Sequence, residues 1–384
     1  KAANAMNGVL DNKESNIEPL PVIYGERRVG GVRAFVASKN SGKKGTPWNE
    51  QLFVCFVLSE GEVESITDIL IDDLPITDKR FNPKRRTPTS SGGKTFSVEY
   101  ITWEIHTGAD DQTYSPLLAE AGGWSAMHRL RGVAYIAFRF FYNQEAFQGP
   151  PNITALVKGR QVYDPRSPSA APAYSANPAL CIRDYLTNKR FGKGLPAEKI
   201  DDDAFKRAAD DCDASVVYYE DERPNYGGGD YGGGNYGGGG GKHPKKSLHS
   251  RSKTGILFET NAVLQTDETL FDNLHTLLLG CRGFLPYTQG TYGLIIDKSA
   301  DSVFDFTPHH LIGGIGIKGE SKEDKFNRVN VKFANPKTNY EPDTATWPDP
   351  ASDEESAFQK EDNGTLLVTD IDLDTITKAY AARD

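Results

Sequence analysis

Along the first 140 residues the apolar positions follow strand periods. Residues 30–38 alternate apolar and polar side chains, residues 52–58 form a continuous apolar run, and residues 66–71 lead into the turn signal Asp72-Asp73-Leu74-Pro75. Strands are expected again over 95–106 and 133–142, with a short continuous run such as 52–58 having strand length rather than helix length. Two long polar loops, SKNSGKKGTPWN at 38–49 and KRFNPKRRTPTSSGGKT at 79–95, interrupt this pattern and mark an inserted or decorated β domain.

The period then changes. Asn177-Pro178 reads as a helix start, with Asn as cap and Pro at the first helical position. Pro178, Cys181, Ile182, Tyr185 and Leu186 then fall on one face, and Lys189, Arg190 and Gly192 supply the stop. A second helix is expected from Asp201, Asp202 and Asp203, with Phe205, Ala208, Ala209 and Cys212 on its stripe. A third follows Thr266-Asp267 and ends at Gly283. Its Leu270, Phe271, Leu274, Leu277, Leu278 and Cys281 make the clearest amphipathic pattern in the chain. Strands are expected over 254–259, 283–287, 292–297 and 328–333, and a terminal helix in LDTITKAYAARD. The fold class is α+β and β-rich, with helices packed on short, mainly antiparallel strands.

Composition changes this picture at one place. Of 38 glycines in 384 residues, eleven lie in YGGGDYGGGNYGGGGG at 226–241, between the second helix and the next strand. Tyr226, Tyr231 and Tyr236 recur there every five residues between glycine spacers, a repeat too poor in apolar side chains to fold alone. They are a candidate partner-contact loop of aromatic anchors, against the plainer reading of a flexible loop. Elsewhere the hydrophobic content of 38% suits folded cores of two or three domains. No run approaches the eighteen or so apolar residues of a membrane span, and the start KAANAMNGVL lacks the pattern of a secretory leader.

The net charge of −9 argues against a nucleic-acid surface, which needs a concentrated positive field. The short basic runs Lys79-Arg80, Lys84-Arg85-Arg86 and 242–253 read as solvated loops. Cys55, Cys181, Cys212 and Cys281 show no metal-site spacing and each falls on an apolar face, so buried free thiols are expected.

Motifs for chemistry fail on context. Gly314-Ile315-Gly316-Ile317-Lys318-Gly319 matches GxGxxG, but a charged turn rather than a helix follows it, so no helix N-terminus would meet a pyrophosphate. Gly93-Lys94-Thr95 lacks the earlier glycine of a phosphate loop, since Pro88 stands there. His309-His310 is the single histidine cluster, and neighbours on a strand face opposite sides. Asp72-Asp73 and the 201–203 aspartates sit where turns and helix starts use Asp anyway. No catalytic, cofactor-binding or metal residues are assigned, and no enzymatic activity is expected.

A signal of another kind is spread along the chain. IEPLPVIYGERRVGG (17–31), LSEGEVESITDILIDDLPI (58–76), HTGADDQ (106–112), LRGVAYIAFRFFY with FQGPPNITALVKGRQVYDPR (130–166), NPALCIRDYLTNKRFGKGL (177–195), DNLHTLLLGCRGFLPYTQGTYGLIID (272–297) and KFNRVNVKFANPKTNYEPDTATWPD (325–349) follow one another in a fixed order. Together they resemble the central tail tip (hub) proteins of long-tailed bacteriophages, in the N-terminal hub part of the family that includes the lambda tail tip attachment protein. The glycine tract and the two basic loops fall outside the resemblance.

The resemblance implies tail-tube-like β-barrel hub domains with an inserted β domain. The corresponding division is a first hub β domain starting at 1–37, an insertion at 38–130, a return to the first domain at 131–175, an α+β hub domain at 176–350 containing the loop 226–241, and an acidic linker with a terminal helix at 351–384. It implies a homotrimer at the virion tail tip, assembled in the host cytoplasm, that takes part in host attachment and DNA ejection. The implied partners are distal tail and tail tube proteins, other tail tip proteins and the tape measure protein. A host receptor would be met through a C-terminal region beyond these residues, with no specific nucleic-acid binding and no transmembrane segment. Two other readings stay open on the residues alone: a host-surface adhesin module and a tail-associated cell-wall hydrolase.

Overall fold

The structure, a computed structural model, describes residues 10, 12–13, 18–42, 48–85, 87–91, 94–221, 250–314, 316, 325–348 and 353–383. Among these residues the chain is a β-rich α+β protein built on two facing antiparallel sheets. Its first strands are β1 (Val22–Ile23), β2 (Glu26–Gly30), β3 (Val32–Lys39), β4 (Gln51–Glu60), β5 (Val63–Ile71) and β6 (Leu74–Pro75). β7 (Thr89–Ser91), β8 (Thr95–Ser97), β9 (Ile101–His106), helix α1 (Pro116–Ala119), β10 (Val133–Phe141), β11 (Ile153–Val162) and β12 (Ala173–Tyr174) follow.

One sheet runs β3-β4-β10-β9-β8-β7, and the other runs β12-β11-β5-β6 with β2 also on β11. The continuous apolar run of β4 has a direct cause: both faces of its sheet are covered. Val54, Phe56 and Leu58 point between the sheets, where Ile136, Phe138 and Phe140 of β10 meet Ile66, Ile71 and Val157 of the opposite sheet. Phe53, Cys55 and Val57 point the other way, onto Leu117, Leu118 and Trp124 of α1 and its following loop. Each sheet is open among the described residues, so the two form a sandwich and not the closed barrel the sequence resemblance implies.

One expectation is corrected here, and one strand departs from regular alternation. The strand expected over 95–106 is a hairpin, β8 folding onto β9 with Phe96 opposite Trp103, because Val98–Tyr100 turns the chain. The apolar set of β5 also breaks its alternation, with Ile66 and Ile69 both buried. The register with β11 shifts at this point and Asp68 takes a positive φ of 44°, the signature of a bulge. Buried Arg28 holds it, donating to the Asp68 carbonyl at 2.8 Å and pairing with its carboxylate.

β1 joins this sandwich to a helical core. Ile23 faces the sheets, while Val22 and Tyr24 face helices α2 (Pro178–Thr187), α3 (Asp202–Cys212) and α4 (Leu270–Leu279). Asn177 caps α2 as its sequence position requires, accepting from Ala179 N at 3.0 Å, and its amide donates to the Ala209 carbonyl of α3 at 2.9 Å. Cys181, Cys212 and Cys281 are buried in this core and Cys55 between sheet and α1, all four as free thiols.

Between α3 and α4 lie β13 (Ser215–Asp221), β14 (Ser250–Ile256) and the short β15 (Val263–Leu264), which pairs with β1. The strand expected at 254–259 therefore sits earlier, and the partner that fixes it, β13, has no apolar periodicity to announce it. After α4 come β16 (Gly283–Phe284), β17 (Tyr287–Thr288), β18 (Thr291–Tyr292) and β19 (Ile295–Ile296), paired as two small ribbons. The last unit pairs β20 (Arg328–Asn335) antiparallel with β21 (Glu341–Trp347) and parallel with β22 (Val368–Asp372). Helix α5 (Asp353–Glu361) is held by ion pairs Arg328–Glu355 and Lys325–Asp362. The expected terminal helix is shorter, α6 at Ala379–Arg383, because Leu373 and Ile376 are drawn into the core with Val331 and Phe333.

Candidate assembly surface

The polar cluster nearest to a catalytic pattern is Ser115, His106 and Glu104. All three are buried on β9 and at the start of α1. Ser115 Oγ donates to Glu104 and accepts from Leu118 N at 3.1 Å, so the serine is the cap of α1. His106 Nε2 lies 3.5 Å from Glu104 Oε2, and its ring stacks on Tyr135 at 4.3 Å. Nucleophilic chemistry needs serine bonded to histidine and histidine to acid, in reach of substrate. Here serine meets the acid directly, in the protein interior, and the cluster ties α1 to its sheet. Burial works against the charge on Glu104, but hydrogen bonds from His106, Ser115 and Thr95 outweigh it and hold the carboxyl below its usual range.

The other sequence candidates are placed as follows. His309 and His310 lie exposed in a short 3-10 turn, where His310 Nδ1 accepts from Thr307 N at 3.1 Å, and no metal-holding group of His, Cys, Asp or Glu exists among the described residues. Asp201 Oδ1 caps α3 by accepting from Ala204 N at 3.0 Å. Asp72 and Asp73 both take positive φ in the turn after β5, and Asp72 pairs with Arg80. Tyr226, Tyr231 and Tyr236 lie outside the described residues. The described strands on either side in sequence, β13 and β14, pair over seven rungs from Ser215–Ile256 to Asp221–Ser250.

Two exposed apolar features went unread in the sequence. On α4, Leu270 and Leu279 are half exposed and Phe271 is 73% exposed, so Leu270 and Phe271 of the expected stripe project from the core. The rest of the expected stripe is covered, with Leu277 and Cys281 buried and Leu274 and Leu278 packed on the same core, and Asn273 is buried as well, donating to the Gln265 carbonyl at 2.9 Å. Next to it, Phe284 of β16 and Ile295 of β19 are directly opposite each other, and both stay exposed. The segment 300–312 beyond β19 then exposes Val303, Phe304, Phe306, Leu311 and Ile312, with Val303 at 99% and Ile312 at 106% of full exposure. Its internal order comes from Phe304, whose ring lies 4.9 Å from Phe306 and 5.0 Å from His310. An exposed apolar patch of this size is the kind of surface that serves as an interaction site. Nothing in helical or strand periodicity signals it, since aromatic residues in an irregular segment read the same whether they dock inward or project.

No helix of the described residues is long and apolar enough to cross a membrane. The chain is similar to a hub protein of a phage particle. It is 22% identical to Baseplate hub protein pb3 of Escherichia phage T5 over 415 aligned residues, covering 95% of this chain and 40% of that protein. The chain thus spans less than half of that relative's length. Among solved structures, a chain of the virion of the native gene transfer agent particle aligns with 97% of this chain and 72% of its own length, at a TM-score of 0.49 and 15% identity. No family model matches the sequence.

Proposed function

We propose that the protein is a structural component of a phage virion, the tail tip hub that joins the tail tube to the tip. The observation that carries this reading is the likeness to a baseplate hub protein along 95% of the chain, over a fold whose polar clusters serve packing. In this role the two-sheet sandwich, to which 38–130 contributes β4, β5 and β9, acts as a tail-tube-type hub domain, and the α+β region from 176 onward, with β22 of 351–384 paired to its β20, acts as a second one.

Three copies surround the tail axis and contact distal tail, tail tube and tape measure proteins. The acidic balance of the chain suits a passage that DNA must traverse without being held. Host attachment and DNA ejection then depend on parts of the tip joined to this hub, and the tyrosine–glycine segment contacts a neighbour in the assembly. Labelling the protein in intact particles tests the role: label at the end of the tail supports it, and label on the head, or none, rejects it.

A further inference from the structure

We infer that segment 300–312 is an exchange arm that docks on the α4–β16–β19 face of a second copy of this chain. The inference rests on the hub reading above, and adds to it the contact by which neighbouring copies hold one another.

The arm and the face match in chemistry and size. Val303, Phe304, Phe306, Leu311 and Ile312 present on the order of 600 Å² of apolar surface, taking large side chains at the usual 150–250 Å² for aromatics and somewhat less for aliphatics. Phe271, Leu279, Phe284 and Ile295, with Leu270 at the far end of the helix, present on the order of 500 Å². Gly283 lies against Leu278 of the last turn of α4, which brings Leu279 next to the Phe284–Ile295 rung. Either surface alone approaches the largest apolar patch of an ordinary monomer. Together they amount to about 1,100 Å² of total burial, above the roughly 1,000 Å² that a specific interface needs.

The arm leaves the chain directly after Ile295 and Ile296, at the rim of the face, yet Val303 and Ile312 remain wholly in solvent. An arm so placed, with its own copy's face uncovered, is satisfied by the next copy. Arm and face are different surfaces, so the contact is head-to-tail and closes when copies repeat around an axis.

The test uses the full-length polypeptide in two preparations, one Phe306→Cys and one Leu279→Cys, mixed under mild oxidation. The four native thiols are buried and stay out of the reaction. A mixed disulfide between the two chains is expected. Its absence overturns the inference, as does a disulfide formed within single chains carrying both changes. A Val303→Asp, Ile312→Asp double variant, which disturbs no buried contact, is expected to weaken self-association about tenfold or more; unchanged association overturns the inference. Mass separates it from the hub reading. Three-copy rings without the mixed disulfide retain the hub and remove the arm contact, whereas arm-linked species that never close at three retain the contact and remove the trimer.

Discussion

The ring of Tyr380 on α6 lies 4.1 Å from that of Tyr218 on β13, nearly parallel to it, and its hydroxyl donates to the Ile256 carbonyl of β14 at 2.9 Å. One side chain from the end of the described chain therefore fastens both strands of the ribbon that leads to the tyrosine–glycine tract. An isolated two-stranded ribbon is marginal in water, so this clamp matters more than its single hydrogen bond suggests.

Gly255 is the position that admits the clamp. A Cβ there would lie 2.6 Å from Tyr380 Oη and 3.1 Å from Tyr218 Cε1. Gly255→Val is expected to displace Tyr380 and speed amide exchange across β13 and β14, leaving β4 and β10 protected as before. Hydrogen exchange read by peptide mass checks this; unchanged exchange in the ribbon would show that the strands stand without the clamp.

Glu104 makes part of the stability pH-dependent. Its folded-state carboxyl titrates below its ordinary value, so the stabilisation is complete above the ordinary carboxylate range and disappears as pH falls through the depressed folded value. Glu104→Gln is expected to cost about 1–3 kcal/mol at pH 7, the worth of hydrogen bonds to a buried charge. In strong acid the difference from wild type should shrink. Urea unfolding at both pH values measures it, and an equal cost at each would remove the charge from the account.

Asn177 joins two helices through one side chain. Replacing it with Ala removes the α2 cap and leaves the Ala209 carbonyl without its donor, for an expected loss of about 2 kcal/mol. Asn177→Asp keeps the cap but not the donation, and should fall between the two in thermal unfolding.

The helical half was legible where a local signal and a buried face coincide. Asn177-Pro178 with Cys181, Ile182 and Tyr185 gives both the start and the core side of α2, and the structure buries all of them. Residues 52–58 gave a strand, although that both faces are covered depends on α1, some sixty residues away. Three features were not legible for physical reasons. The β5 bulge is set by a long-range pairing with β11 and by Arg28. Strand β13 is hard to read because the cover of its inner face, Tyr380 on Tyr218, comes from more than 160 residues away. Phe271 satisfies helical periodicity as well as Leu277 does, and only the tertiary structure decides that one is covered and the other projects.

The four cysteines give a plain check on the cores. Burial pushes the thiols of Cys55 and Cys181 well above their usual range, which withholds the reactive thiolate. The native protein is expected to show no rapidly reacting thiol with a disulfide reagent and four after denaturation. Fast reaction of any in the native state would mean that the core around it opens.

The central claim is that this chain is the hub on the axis of a phage tail. Cryo-electron microscopy of the intact particle tests it most directly. The account predicts density for this fold at the tail end, three copies around the axis, with the sandwich continuous with the tail tube. Finding the chain off the axis, in the head, or absent from the particle would contradict it.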